Sequence, residues 1–300
     1  VSRIVFLGTP DAAVTVLSRI ADRVALVVTR PDRPKGRSGV PAPPPVKEFA
    51  DAAGIPVIQP QRSADLAGML GAYGPFEMGV VVAFGMLLRP DALSVPRLGH
   101  LNVHFSLLPR WRGAAPVQAA ILAGDQRTGV SLMQLDEGLD TGPVIAVRST
   151  AIGADEDAGA LTGRLARLGA DLLDQELEPV LAGRRWASPQ PLDGVTRAAK
   201  VGGADRALDL TRPATELERR IRALAPEPGA HADAGGQPLQ ILAARARVGS
   251  APVGALSVED GEVWLGTGSG LLQLGTVKPS GRRSMPAVEW MRGARVSFLR

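Results

Sequence analysis

Asn102, His104 and, after an interval, Asp140 are the residues of this sequence best suited to chemistry on a carbonyl group. The first two lie in the run Asn102-Val103-His104-Phe105-Ser106-Leu107-Leu108-Pro109, and His104 is one of only three histidines in 300 residues. Side chains two positions apart on a β-strand share a face, so Asn102 and His104 would point the same way at the strand's end. An amide donor beside an imidazole suits a carbonyl that must pass through a tetrahedral oxyanion. A distant carboxylate could orient that imidazole or hold its protonated form. Asp140 lies where an alternating stretch from Thr128 runs into Leu135-Asp136-Glu137-Gly138-Leu139-Asp140-Thr141-Gly142, a loop with three acids and two glycines. Such a loop is equally readable as a solvated turn. Leu139 beside Asp140, however, sets an apolar side chain next to a carboxylate, a combination found at functional sites.

Other chemistries are excluded by what the sequence lacks. Without any cysteine there is no disulfide, thiol nucleophile or thiolate metal site. On one strand, His100 and His104 would stand about 13 Å apart at roughly 3.3 Å per residue, too far to share an ion. No metal is expected, and His100 reads as a structural or surface residue. Phe6-Leu7-Gly8-Thr9-Pro10-Asp11 turns from a strand into a helix but does not complete G-x-G-x-x-G, so no dinucleotide site is expected. The longest apolar run, Val80 to Leu88, is broken by Gly85 and too short to span a bilayer. The opening residues run directly into a strand pattern, and the expectation is a cytoplasmic protein without membrane contact.

The elements that must position these residues follow from periodicity. Strands are predicted at Arg3–Leu7, Ala25–Thr29, Met78–Ala83, His100–His104, Val130–Leu135 and Val144–Arg148. Helices are predicted at Ala12–Ile20, Val46–Ala53, Ala64–Leu70, Val117–Ala123 and Asp155 to Leu181. This alternation defines an α/β fold, a Rossmann-like N-terminal domain with a mainly parallel sheet. In such sheets ligands bind beyond the carboxyl ends of the strands, where Ser106 to Pro116 would lie. From Arg184 to Leu208 the pattern loosens, and residues 184–208 read as a linker between a catalytic domain over 1–183 and a second domain over 209–300. That second domain opens with a helix over Thr211 to Ala223 and continues as short strands at Leu239–Ala243, Gly254–Val258, Glu262–Leu265 and Leu271–Val277, the pattern of a smaller β-barrel.

Charge separates the two parts. Residues 1–199 carry 20 Lys/Arg and 20 Asp/Glu, residues 200–300 carry 14 and 10, and the whole net charge of +4 therefore falls in the last third. A basic surplus confined to one module points to a polyanionic partner, although an arginine-rich surface alone would look the same.

Taken together, Asn102-x-His104-x-Ser106-Leu107-Leu108-Pro109 and the distal Asp140 resemble the signature of the folate-dependent formyltransferases. Three further stretches, Gly8-Thr9-Pro10-Asp11, Arg110-Trp111-Arg112-Gly113-Ala114-Ala115-Pro116 and Gly138-Leu139-Asp140-Thr141-Gly142, resemble the branch that acts on methionyl-tRNA. The resemblance is strong over residues 1–150 and weaker through the C-terminal module.

It implies transfer of a formyl group from 10-formyltetrahydrofolate, a consumed cosubstrate, to the α-amino group of methionyl initiator tRNA. Asn102, His104 and Asp140 would be catalytic, with Ser106 shaping its loop and no covalent intermediate. Folate would lie against Phe84, Gly85, Met86, Leu87 and Leu88, the turn Ser106, Leu107, Leu108 and Pro109, and the loop Asp136, Glu137, Gly138 and Leu139. The tRNA would meet Arg33, Lys35 and Arg37 in the N-terminal domain. Lys200, Lys278, Arg282 and Arg283 would meet it on or before an OB-like C-terminal barrel, and a monomer is expected. Ser38-Gly39-Val40 and Glu227 stand where such proteins often carry lysines and an aromatic residue. Two competing readings keep the same triad, formylation of a sugar-nucleotide or other small amine and hydrolysis of formyltetrahydrofolate; the intact triad argues against a third, RNA binding on an inactive scaffold.

Overall fold

The structure, a computed structural model, describes residues 3–34, 39–294 and 296–300. Two compact units make up the chain. The first comprises Val1–Pro116, Arg127–Ala151 and Thr162–Ala198; the second comprises Val117–Gln126, Ile152–Leu161 and Ala199–Arg300.

Among the described residues of the first unit, seven strands form one sheet in the order Val144–Ala151, Arg127–Gln134, His100–His104, Met78–Val82, Ile4–Gly8, Val24–Val28, Val57–Ile58. The last five are parallel, and Arg127–Gln134 joins His100–His104 antiparallel, as does Val144–Ala151 its neighbour. Continuous apolar sequence explains the central strands, since a parallel strand is covered on both faces. Ile4–Gly8 and Met78–Val82 are buried at every position. The expected mainly parallel α/β sheet is therefore present. The expected strands lie within three residues of these bounds, and the two-residue strand Val57–Ile58 was too short to show a pattern.

The strand His100–His104 matches its expected span. Val103 faces the helix Ala158–Leu181, where a Cβ on Gly169 would meet Val103 Cγ1 at 2.6 Å. That glycine lets the helix lie close on the sheet and fixes which face of the strand is apolar core. The alternate residues His100, Asn102 and His104 are thereby committed to the other face.

In the second unit, an antiparallel sheet runs in the order Ala230–Asp233, Pro238–Arg247, Leu271–Pro279, Glu262–Gly266, Leu256–Glu259, with Met285–Pro286 beside Leu271–Pro279. Residues 297–300 join its two edges. Leu256 N–H donates to Ser297 O and Leu299 N–H to Gly254 O on one side, while Arg300 and Asp233 exchange backbone bonds on the other. The sheet is thus closed, as a small barrel should be, because closure removes exposed edges. Its core gathers Leu217, Ile221 and Leu224 from the helix Ala214–Leu224 with Leu239, Ile241, Val263, Leu265, Leu272 and Val277. Each such aliphatic side chain contributes about 1.5–3 kcal/mol on burial.

Three features differ from expectation. The helix expected from Thr211 starts at Ala214, because Pro213 stays extended before it and Asp209 accepts from the Thr211 N–H and hydroxyl. The strand Ala230–Asp233 and the helix Ala287–Gly293 carry too little periodicity to be read beforehand. Residues up to Ala198, expected to be linker, pair with the first unit: Arg197–Ala198 forms a parallel ladder with Arg112–Gly113, and Ser188 exchanges backbone bonds with Val144.

Candidate active site

Asp140 is the hub of the cluster that the sequence singles out. Its Oδ2 accepts the backbone N–H of Gly113 at 2.8 Å, and its Oδ1 accepts from Asn102 Nδ2 at 3.3 Å. His104 Nδ1 lies 3.7 Å from Asp140 Oδ2, an ion-pair separation rather than a hydrogen bond. The other ring nitrogen, Nε2, is 2.9 Å from the Trp111 carbonyl. A carbonyl can only accept, so Nε2 carries a hydrogen there and Nδ1 is the nitrogen turned toward the carboxylate. His104 is 6% exposed and the Asp140 side chain 12%, so imidazole and carboxylate face each other largely away from water, where electrostatic interactions are strong. The three residues expected to be catalytic are brought together.

Backbone geometry at this edge is unusual. Asp140, Trp111 and Ala83 have φ of 52°, 61° and 45°. A non-glycine residue in the left-handed region costs about 1–3 kcal/mol, and such residues concentrate where a site must be held in shape. The Leu108–Pro109 peptide bond is cis. The turn it belongs to is framed by Ser131, whose hydroxyl donates to Ser106 O at 2.8 Å and accepts from Leu108 N–H at 3.0 Å.

The residues expected to meet folate divide into two groups. Leu87 and Leu139 are apolar yet 67% and 56% exposed, and Gly85, Asp136, Glu137 and Gly138 are also exposed. Met86, Leu107, Leu108 and Pro109 are half-buried. Phe84, Leu88 and Ser106, by contrast, turn inward. Phe84 and Leu88 belong to the hydrophobic core beside Val5, Leu7 and Val81, because the alternating chain sends every second apolar residue inside. The Phe84 carbonyl already accepts from the Thr9 hydroxyl at 3.0 Å. Ser106 is fully buried, and its hydroxyl donates to Arg110 O at 2.6 Å within its own turn. Asp136 also serves the loop itself, accepting from Gly138 N–H at 3.0 Å and Thr141 Oγ1 at 2.7 Å.

Of the residues expected to meet tRNA, Lys35 and Arg37 lie outside the described residues. Arg33 is exposed on a short ladder with Ala42. The root of that segment is fastened by Asp32, which Gln59 and Lys47 hydrogen-bond at 2.7 and 2.9 Å; these contacts hold its carboxyl below the usual carboxylate range. Lys200, Lys278, Arg282 and Arg283 are all exposed in the second unit. Lys278 shares a groove there with Arg206 and His231, two residues whose sequence positions gave no signal. Gln190 is the other residue that periodicity could not reveal: it reaches Asp140 from the supposed linker. Among the described residues no group of three or more His, Cys, Asp or Glu could hold a metal ion, and no helix is long and apolar enough to cross a membrane.

His100 shares the strand face with Asn102 but not the site. It is fully buried, its ring packs where a Cβ on Gly79 would stand 2.1 Å away, and Nδ1 donates to Leu93 O at 3.3 Å. Burial pushes its pKa from 6.5 down to about 4. The folded protein therefore resists a proton that the unfolded chain accepts. Stability present above pH 6.5 is lost as pH falls toward 4, by up to about 3 kcal/mol. Denaturant unfolding between pH 7 and 4 should show that decline, and His100→Leu should flatten it; an equal slope in both proteins would exclude His100 as its source.

At the end of the strand His100–His104, a carboxylate thus accepts from an amide and a backbone N–H and faces an imidazole at ion-pair distance. Formyl transferase models match residues 2–177, and those of the formyl transferase C-terminal domain match residues 200–295. The chain belongs to the formyl transferase family. It is 50% identical over 302 residues to the methionyl-tRNA formyltransferase of Halorhodospira halophila, covering 98% of this chain and 97% of that one. To the methionyl-tRNA formyltransferase of Myxococcus xanthus it is 45% identical, covering 98% and 96%. A solved N-formyltransferase from Helicobacter canadensis, in complex with folinic acid and dTDP-3-aminofucose, superposes with a TM-score of 0.68 at 16% identity, covering 91% of this chain and 99% of that one. At that identity the likeness is one of fold.

Proposed function

We propose that this chain transfers the formyl group of 10-formyltetrahydrofolate to the α-amino group of methionyl initiator tRNA, giving N-formylmethionyl-tRNA for translation initiation. The observation that carries the reading is the convergence of Asn102 and His104 on Asp140, in a chain half identical over its whole length to a methionyl-tRNA formyltransferase.

The neutral amine attacks the formyl carbon, and the carbonyl electron pair moves onto oxygen. Asn102 Nδ2 spends one hydrogen on Asp140 and has a second to offer that oxyanion. Collapse of the tetrahedral species breaks the bond to the folate nitrogen, which leaves with the electron pair and gains a proton. The amine loses one, so the net change is a formyl group one way and a proton the other. His104, with Asp140 beside Nδ1, is the group placed to carry that proton and to stabilise the developing charge. No covalent enzyme intermediate is required.

Exposed Leu87 and Leu139 support a flat apolar ligand at the neighbouring loops, since pockets for heterocycles are mostly apolar with a few polar groups that fix orientation. Exposed Lys278, Arg282 and Arg283 on the barrel unit support phosphate contact.

Incubation with 10-formyltetrahydrofolate and methionyl-tRNA should yield formylmethionyl-tRNA. Absence of product there, or faster formylation of an amino-sugar nucleotide, would overturn the assignment.

A further inference from the structure

We infer that Gln190 is a positioning residue for the reaction, holding the Asp140 turn in place from the segment between the two family-matched regions. This rests on the function proposed above. Gln190 Nε2 donates to two carbonyls of the turn, Asp140 O at 2.9 Å and Gly142 O at 2.8 Å. Its Oε1 accepts from Arg112 Nε at 3.0 Å and Nη2 at 2.7 Å. The amide's orientation is unambiguous, because a guanidinium can only donate and carbonyls can only accept. Every hydrogen-bonding atom of the side chain is therefore used.

The two ends of that clamp lead to the same carboxylate. On one side Gln190 holds the backbone of Asp140, a non-glycine residue at φ 52°. On the other it holds Arg112, whose neighbour Gly113 donates its N–H to Asp140 Oδ2. Gly113 has little freedom of its own: it sits at φ 120°, and a Cβ there would lie 2.5 Å from Ala198 O. Ladder bonds from Arg112 N–H to Thr196 O and Ala114 N–H to Ala198 O tie the strip to the same segment. Releasing Gln190 frees the Asp140 backbone to relax out of the left-handed region and carry its carboxylate away from His104.

Two variants separate this role from simple packing. Gln190→Ala removes both halves of the clamp. Gln190→Glu keeps an acceptor for Arg112 but sets a carboxylate against two carbonyls, which repels the turn. Positioning predicts that each lowers kcat between about ten- and hundred-fold, with KM for methionyl-tRNA and the unfolding midpoint little changed. A merely structural anchor predicts instead that both variants lower the unfolding midpoint and leave kcat of the folded protein close to wild type. In an Asp140→Ala background, Gln190→Ala should cost nothing further, since its effect runs through that residue; a full additional loss would overturn the inference. Backbone hydrogen exchange at residues 138–142 should quicken in both variants, and protection equal to wild type would likewise overturn it. Exchange does not depend on the reaction. Failure of the wild-type protein to formylate methionyl-tRNA would sink the proposed function and leave the clamp to be judged by exchange.

Discussion

Asp140→Ala is expected to lower single-turnover formyl transfer by about two orders of magnitude or more while tRNA binding persists. The loss has three sources. Gly113 N–H and the Asn102 amide lose their acceptor, and Nδ1 of His104 loses the only carboxylate within ion-pair distance among the described residues. An alanine must also adopt φ 52°, a region it tolerates poorly. Asp140→Asn separates these effects, because asparagine accepts the left-handed backbone and keeps the shape while removing the charge. Rates of Asn and Ala variants that fall together would assign the defect to charge; a much milder Asn variant would assign it to geometry. Transfer within threefold of wild type in both would remove Asp140 from the mechanism.

Affinity for tRNA is expected to fall roughly hundred-fold when monovalent salt rises from about 50 to 200 mM. Four exposed cations of the second unit, Lys200, Lys278, Arg282 and Arg283, are the basis. Each phosphate neutralised releases counterions worth a slope of about −0.7 to −0.9 in log affinity against log salt, so four contacts give about −3. Replacing Lys278, Arg282 and Arg283 together by glutamine should reduce the steepness by about 2 and leave kcat at saturating tRNA intact. A salt response that is flat, or unaltered by the triple replacement, would show that the barrel unit does not grip the phosphates.

Strand and motif were legible in the sequence for separable reasons. His100–His104 was readable in full because its alternation is the direct imprint of a pleated strand with one face committed to the helix that carries Gly169. The triad was readable because its residue types are rare and spaced along that alternation. The clamp was not. Gln190 is a polar residue among prolines in a stretch without periodicity, and its partners lie 50 and 78 residues away. Local pattern holds no trace of such pairings. Likewise, Phe84 and Leu88 looked like an apolar platform, yet burial decides which way each turns, and burial is a property of the packed sheet. His231 and Arg206 join Lys278 only through the fold of the barrel unit.

The segment carrying Gln190 bears on the order in which the molecule comes together. All seven strands of the first unit's main sheet lie before residue 152, so a fragment cut at residue 183 would retain that sheet whole. It would lack the ladder at Arg197–Ala198, the Thr196 contacts and the clamp on Asp140. These contacts come from a segment that contributes no strand to that sheet. The sheet can thus be native before the contacts around Asp140 are complete, and regain of activity on refolding should lag behind regain of secondary structure.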